Sequence, residues 1–223
     1  MSNEGPPQML TLYYHPLASY CWKVLIALYE TGTPFEKVVV DLGDAAQRAQ
    51  LQKLWPLMKF PVLEDRARNQ VVPESTIVIE YLAQHYPGRA QLVPSDPERA
   101  RQARLWDRFF DHYVHEPMQK IVADKLRPAD KRDPYGVEQA RSMLPSSYAM
   151  LESELTLKTW AAGEQLTLAD CAAFPALYYA NLHVPYGAAH PRIAAYMERL
   201  SARASVATVL REAEPYMHLH PRS

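Results

Sequence analysis

The alternation of apolar and polar positions begins at residue 9. "MLTLYY" (9–14) is a short apolar run rich in β-formers and predicts a strand. "YCWKVLIALYETG" (20–32) changes the period. Val24, Leu25, Leu28 and Tyr29 fall on one helical face, and Gly32 stands where a C-terminal cap belongs. The valine run in "TPFEKVVVDL" (33–42) predicts a second strand, and "DAAQRAQLQKLW" (44–55) a polar, partly exposed helix. "FPVLED" and "QVVPES" flank the charged turn "RARN", the pattern of a β-hairpin. In "STIVIEYLAQHY" (75–86), Ile77, Val78, Tyr81 and Leu82 form one stripe of a third helix. The predicted order is β-α-β-α-β-β-α.

"PGRAQLVPSDPE" (87–98) is a proline-rich break that separates two predicted domains, 9–88 and 95–223. Every period after it is helical. Residues 99–126 predict one long helix, kinked or divided by Pro117. Further helices are predicted over 134–158, 167–182, 191–201 and 204–213. The expected fold class is an α/β unit followed by an all-helical one, without internal repeats.

Composition narrows the function. With 24 basic and 25 acidic residues the formal net charge is -1, which gives no electrostatic case for nucleic acid or an anionic membrane. The apolar stretch "CAAFPALYYA" (171–180) is too short to span a bilayer. "MSNEGPPQ" is polar, lacks a signal pattern and predicts a disordered tail on a cytoplasmic protein. Two cysteines, Cys21 and Cys171, make no disulfide framework and are expected reduced. Only 7 glycines occur, none in a phosphate-binding loop, which argues against common nucleotide chemistry.

Three stretches carry candidate chemistry. In "HPLASYCW" (15–22), Ser19 stands at a helix start, where backbone N–H groups and the positive dipole end favour a thiolate and a hydroxyl can donate to it. The plainer reading is that Ser19 caps the helix. Cys21, within the first turn, reads as a small buried residue. In "MKFPVL" (58–63), a cis Phe60–Pro61 bond would present the Phe60 backbone to an extended peptide, against the commoner trans proline at a strand start. In "PESTIVIEYL" (73–82), Glu74 and Ser75 open a helix: the helix end suits a carboxylate and Glu74 an ammonium, against plain capping. His112 and His115 are spaced i, i+3 without an evident third ligand, so no metal is expected. The two histidines of "HLHP" (218–221) read as a solvated tail.

"YYHPLASYCWKV", "KFPVL", "PESTIVIEYL" and "LTLADCAAF", in that order, resemble the glutathione transferase family, and the resemblance runs over about residues 9–214. In the last motif Thr167 and Asp170 have the spacing of a capping box. The resemblance implies a thioredoxin-like N-terminal domain that binds glutathione as co-substrate, an all-helical C-terminal domain, and a cytoplasmic homodimer that conjugates small hydrophobic electrophiles in detoxification. It implies that Glu74 and Ser75 hold the γ-glutamyl head, that Phe60 before cis-Pro61 pairs with the cysteinyl part, and that Lys59 contacts the glycyl carboxylate. Ser19 is the first candidate for stabilising the thiolate and Tyr14, at the end of the first strand, the second. A different register puts Ala18 in that place. "LWPLMKFP" departs from the family's Asn-Pro and glycine in this loop. The electrophile is expected between the domains, with Tyr113, His112 and Glu116 on its wall. Isomerisation, dehalogenation or disulfide reduction on the same glutathione site is the alternative enzyme reading, and a non-catalytic binding protein the other.

Overall fold

A computed structural model describes residues 9–221. The predicted tail "MSNEGPPQ" lies outside the described residues. The chain forms two compact units, one ending at Gln91 and one beginning at Leu92.

The first unit has the expected β-α-β-α-β-β-α order: β1 (Leu10–Tyr14), α1 (Ser19–Thr31), β2 (Glu36–Val39), α2 (Ala45–Leu54), β3 (Val62–Asp65), β4 (Gln70–Pro73) and α3 (Ser75–His85). The sheet order is β2-β1-β3-β4, with β1 parallel to β2 and antiparallel to β3. Because side chains alternate across a strand, each strand serves both faces. Tyr13 and Val62 join Val40 and Leu51 in a cluster beneath α2. Leu12 and Leu63 are buried on the opposite face, where α3 packs on β3 and β4 and α1 packs on α3. Gly32 takes φ 71 and closes α1, its amide bonded to the Leu28 carbonyl.

The second unit contains α4 (Pro97–Phe109), a π-helical segment (Phe110–His115), α5 (Glu116–Lys125), α6 (Pro134–Glu154), α7 (Leu168–His183), α8 (Pro191–Ser201) and α9 (Ala204–Ala213). Short 3-10 turns include Glu214–Leu219 at the end. A helix apolar on every side belongs inside, and α7 is the central helix, packed against α4, the π segment, α5 and α8. It starts at a complete capping box: Thr167 accepts from the Ala169 amide, and Asp170 Oδ2 accepts from the Thr167 amide at 2.7 Å. Asp170 Oδ1 also accepts from the Tyr196 hydroxyl at 2.6 Å and the Ala161 amide at 2.9 Å.

The expected division at Pro117 is corrected in kind. The change falls one turn earlier, as the π segment. Proline has no N–H, so the Tyr113 carbonyl loses the partner that residue 117 would supply. The Ser147 hydroxyl of α6 donates to that carbonyl at 2.8 Å. The "HLHP" tail is also corrected: His220 is half-buried, its Nε2 lies 3.1 Å from His183 Nε2, and its ring packs on Tyr179.

Candidate functional site

Strand register assembles the site of the first unit. Tyr13 pairs with Val62, and Val62 pairs with Pro73. The next residues outward are therefore Tyr14, Pro61 and Glu74, side by side at one end of three adjacent strands, about 5 Å apart per strand. Three stretches far apart in sequence meet there: the β1–α1 loop, the loop before β3, and the start of α3.

The α1 start is held by its own side chains. The Trp22 indole N–H donates to the Pro16 carbonyl at 2.5 Å, and the Leu17 amide donates to His15 Nδ1 at 3.2 Å. A ring that accepts on Nδ1 carries its proton on Nε2 when neutral. Burial holds His15 below its ordinary value against the raising field of Asp41, so neutral it stays. Ala18, not Ser19, is the N-cap, and its own side chain makes no capping bond. Ser19 is therefore not the N-cap but the first helical residue, 3 % exposed. Tyr14 is buried at the end of β1. Cys21 is fully buried and burial pushes its thiol well above the ordinary range, so it offers no nucleophile.

The Phe60–Pro61 bond is cis. The unusual loop before it closes with Met58 at φ 51, a conformation glycine takes freely and methionine does not. Met58 packs against the Tyr13–Val40–Leu51–Val62 cluster, which offsets the backbone cost. Phe60 stacks on His15, with ring centroids 6.1 Å apart. Lys59 is exposed.

At α3, Glu74 is the N-cap with φ 68 and ψ 117, and its side chain makes no capping bond. Capping does not account for it. A non-glycine residue at this φ costs about 1–3 kcal/mol and is typical of binding sites. Ser75 is the first helical residue and is buried. The turn is anchored from behind: Tyr81 and Tyr86 donate to Asp65 Oδ2 at 2.7 and 2.5 Å. Sequence reasoning also missed Lys23, a buried lysine on α1 whose Nζ donates to Thr76 Oγ1 at 2.8 Å.

The second unit has its own cleft of about 510 Å³, lined by Leu105, Trp106, Phe109, His112, Tyr113 and Met150 among others. Tyr113 is 55 % exposed. Glu116 is not part of the lining; its Oε2 lies 3.5 Å from His112 Nδ1 in an exposed pair. Among the described residues no group of three or more His, Cys, Asp or Glu could hold a metal, and no helix is long and apolar enough to cross a membrane.

Comparison with known proteins identifies the family. Residues 12–90 match the glutathione S-transferase N-terminal domain and residues 114–204 the glutathione S-transferase C-terminal domain. A glutathione S-transferase of Pseudomonas putida is 28% identical over 94% of either chain. Glutathione S-transferase 3 of Zea mays is 31% identical over 87% of this chain and 90% of its own. The crystal structure of a glutathione S-transferase from Methylobacillus flagellatus with glutathione bound superposes with a TM-score of 0.82, at 25% identity, over 90% of this chain and 98% of that one. By its two domain matches, its fold and these relatives, the chain belongs to the glutathione S-transferase family.

Proposed function

We propose that the end of the sheet at Tyr14, Pro61 and Glu74 binds glutathione and that Ser19 stabilises its thiolate for attack on a small electrophile. The observation that carries this reading is the register that brings the α1 start, the cis-proline loop and the α3 start to one place. Glu74 takes the ammonium and Ser75 with the first turn of α3 takes the carboxylate of the γ-glutamyl head. The Phe60 backbone pairs with the cysteinyl part, and exposed Lys59 reaches the glycyl carboxylate.

Magnitudes favour the hydroxyl as the agent. A thiol pKa lowered by one unit needs about 1.4 kcal/mol. The α1 dipole supplies about 0.3–1 kcal/mol. A hydrogen bond to a charged partner supplies about 1.5–3 kcal/mol. The dipole alone falls short, so a donor is required. Ser19 is the first residue of that helix; Tyr14 is the second candidate. The thiol proton leaves to solvent. The sulfur lone pair then forms the C–S bond, and the displaced electron pair goes to the leaving group or, in an addition, to the neighbouring atom, which takes up a proton.

Tyr113 and His112, on the cleft of the second unit, are the proposed contacts for the electrophile. The aromatic lining supports a flat apolar substrate. Glu116 contributes through His112 rather than by contact. Two copies are proposed to associate, as the resemblance to the family implies. Two buried free cysteines fit the reducing cytoplasm.

The test is a pH titration of the bound thiolate by ultraviolet absorbance. Ser19→Ala is expected to raise the thiol pKa by about one unit or more, with Tyr14→Phe within a few tenths of wild type. The opposite pattern transfers the role to Tyr14. A pKa unmoved in both variants refutes hydroxyl stabilisation by either residue.

A further inference from the structure

Lysine is almost never fully buried unless it is paired, and Lys23 is 1 % exposed, between Trp22 and Val24, which are both 0 % exposed. Burial of an ammonium carries a desolvation penalty that its partners must offset. The apolar face of α1 would pack as well with methionine. The position of the charge is therefore informative.

The Lys23 ammonium donates to the hydroxyl of Thr76 at 2.8 Å. Thr76 is the second residue of α3 and follows Ser75. It belongs to the turn whose N–H groups have no partner inside the helix. Lys23 itself sits one turn beyond Ser19 on α1, and α1 packs on α3. One buried side chain thus joins the helix that begins at the thiolate position to the turn that begins at the γ-glutamyl position.

We propose that Lys23 is a positioning residue for the α-carboxylate of the γ-glutamyl group. Through Thr76 it fixes the first turn of α3. Its ammonium stands beside the positive end of the α3 backbone, and both favour a carboxylate there. This role rests on the glutathione reading above and assigns a residue that touches no reacting atom.

The test compares two ligands by calorimetry, using displacement where binding is weak. One is glutathione; the other is 4-aminobutyryl-cysteinyl-glycine, which lacks only the α-carboxylate. Lys23→Met keeps the side-chain length and removes the charge. It is expected to weaken glutathione about tenfold and the analogue less than about twofold. Equal weakening of both ligands means scaffolding alone and overturns the proposal, as does unchanged glutathione affinity. If Lys23→Met does not fold, Thr76→Val decides on the same criterion: a loss confined to glutathione supports the role, and an equal loss or none overturns it. A wild-type protein that does not bind glutathione overturns the glutathione reading itself, a result visible before any variant is made.

Discussion

Asp65 gives the most quantitative prediction. It is 0 % exposed at the end of β3 and accepts hydrogen bonds from Tyr81 and Tyr86 of the α3 segment and, on Oδ1, from the Arg68 amide at 3.1 Å. Burial raises the carboxyl pKa, but the bonds from Tyr86, Tyr81 and the Arg68 and Ala67 amides outweigh it, and the net displacement is downward. A carboxylate whose folded pKa lies below the unfolded value adds stability above the unfolded value, near 3.9, and loses it as pH falls through the folded one. Each phenol bond to the charged carboxylate is worth about 1.5–3 kcal/mol. Both tyrosines are half-buried, so water replaces part of what is lost. Tyr81→Phe is therefore expected to cost about 1–2 kcal/mol at neutral pH, and Tyr81→Phe with Tyr86→Phe about 2–4 kcal/mol. Asp65→Asn should cost a similar amount at pH 7 and progressively less below about pH 4, as the wild-type carboxyl itself becomes protonated. Urea unfolding followed by circular dichroism at several pH values measures this. A cost for Asp65→Asn that is the same at pH 3 and pH 7 would refute the assignment of a stabilising carboxylate.

The other expectations are independent of it. Asp170→Ala strands the Tyr196 hydroxyl and the Thr167 and Ala161 amides, and should cost about 3–5 kcal/mol in urea unfolding; a cost under about 1 kcal/mol contradicts the capping account. Cys21 and Cys171 are buried, so the native protein should not react with an aromatic disulfide reagent at pH 8 until denatured; rapid native labelling contradicts this. Burial, then Lys125, His220 and Arg141, push His183 down to about 4. Its folded pKa lies below the unfolded 6.5, so stability should fall as pH drops from about 6.5 to 4, and this slope should shrink in His183→Gln. An unchanged slope removes His183 as its source.

How much was legible in the sequence depended on the range of the cause. The succession of strands and helices in the first unit followed from local valine runs, helical periods and turn chemistry, and α7 from an apolar stretch opened by Thr167 and Asp170. The candidate glutathione residues were visible as motifs, but their meeting point needed the register of Tyr13, Val62 and Pro73. The π segment was not legible. Pro117 announces a lost hydrogen bond, while its placement depends on Ser147, a residue on another helix. Lys23 was hidden because a charged residue on a helix reads as solvent-facing, and only packing against α3 reveals otherwise. Ser19 and Ala18 differ by one position, which no local signal separates at a helix start. Met58 in the left-handed region was likewise unreadable, since the stabilising cluster comes from four other segments. His220 read as tail because His183 is distant in sequence.

The central claim is that the first unit is a glutathione site, and a calorimetric titration of the wild-type protein with glutathione tests it most directly. The account predicts saturable binding at one site per chain, weakened in Ser75→Ala. A protein that is folded by circular dichroism yet shows no saturable heat contradicts it.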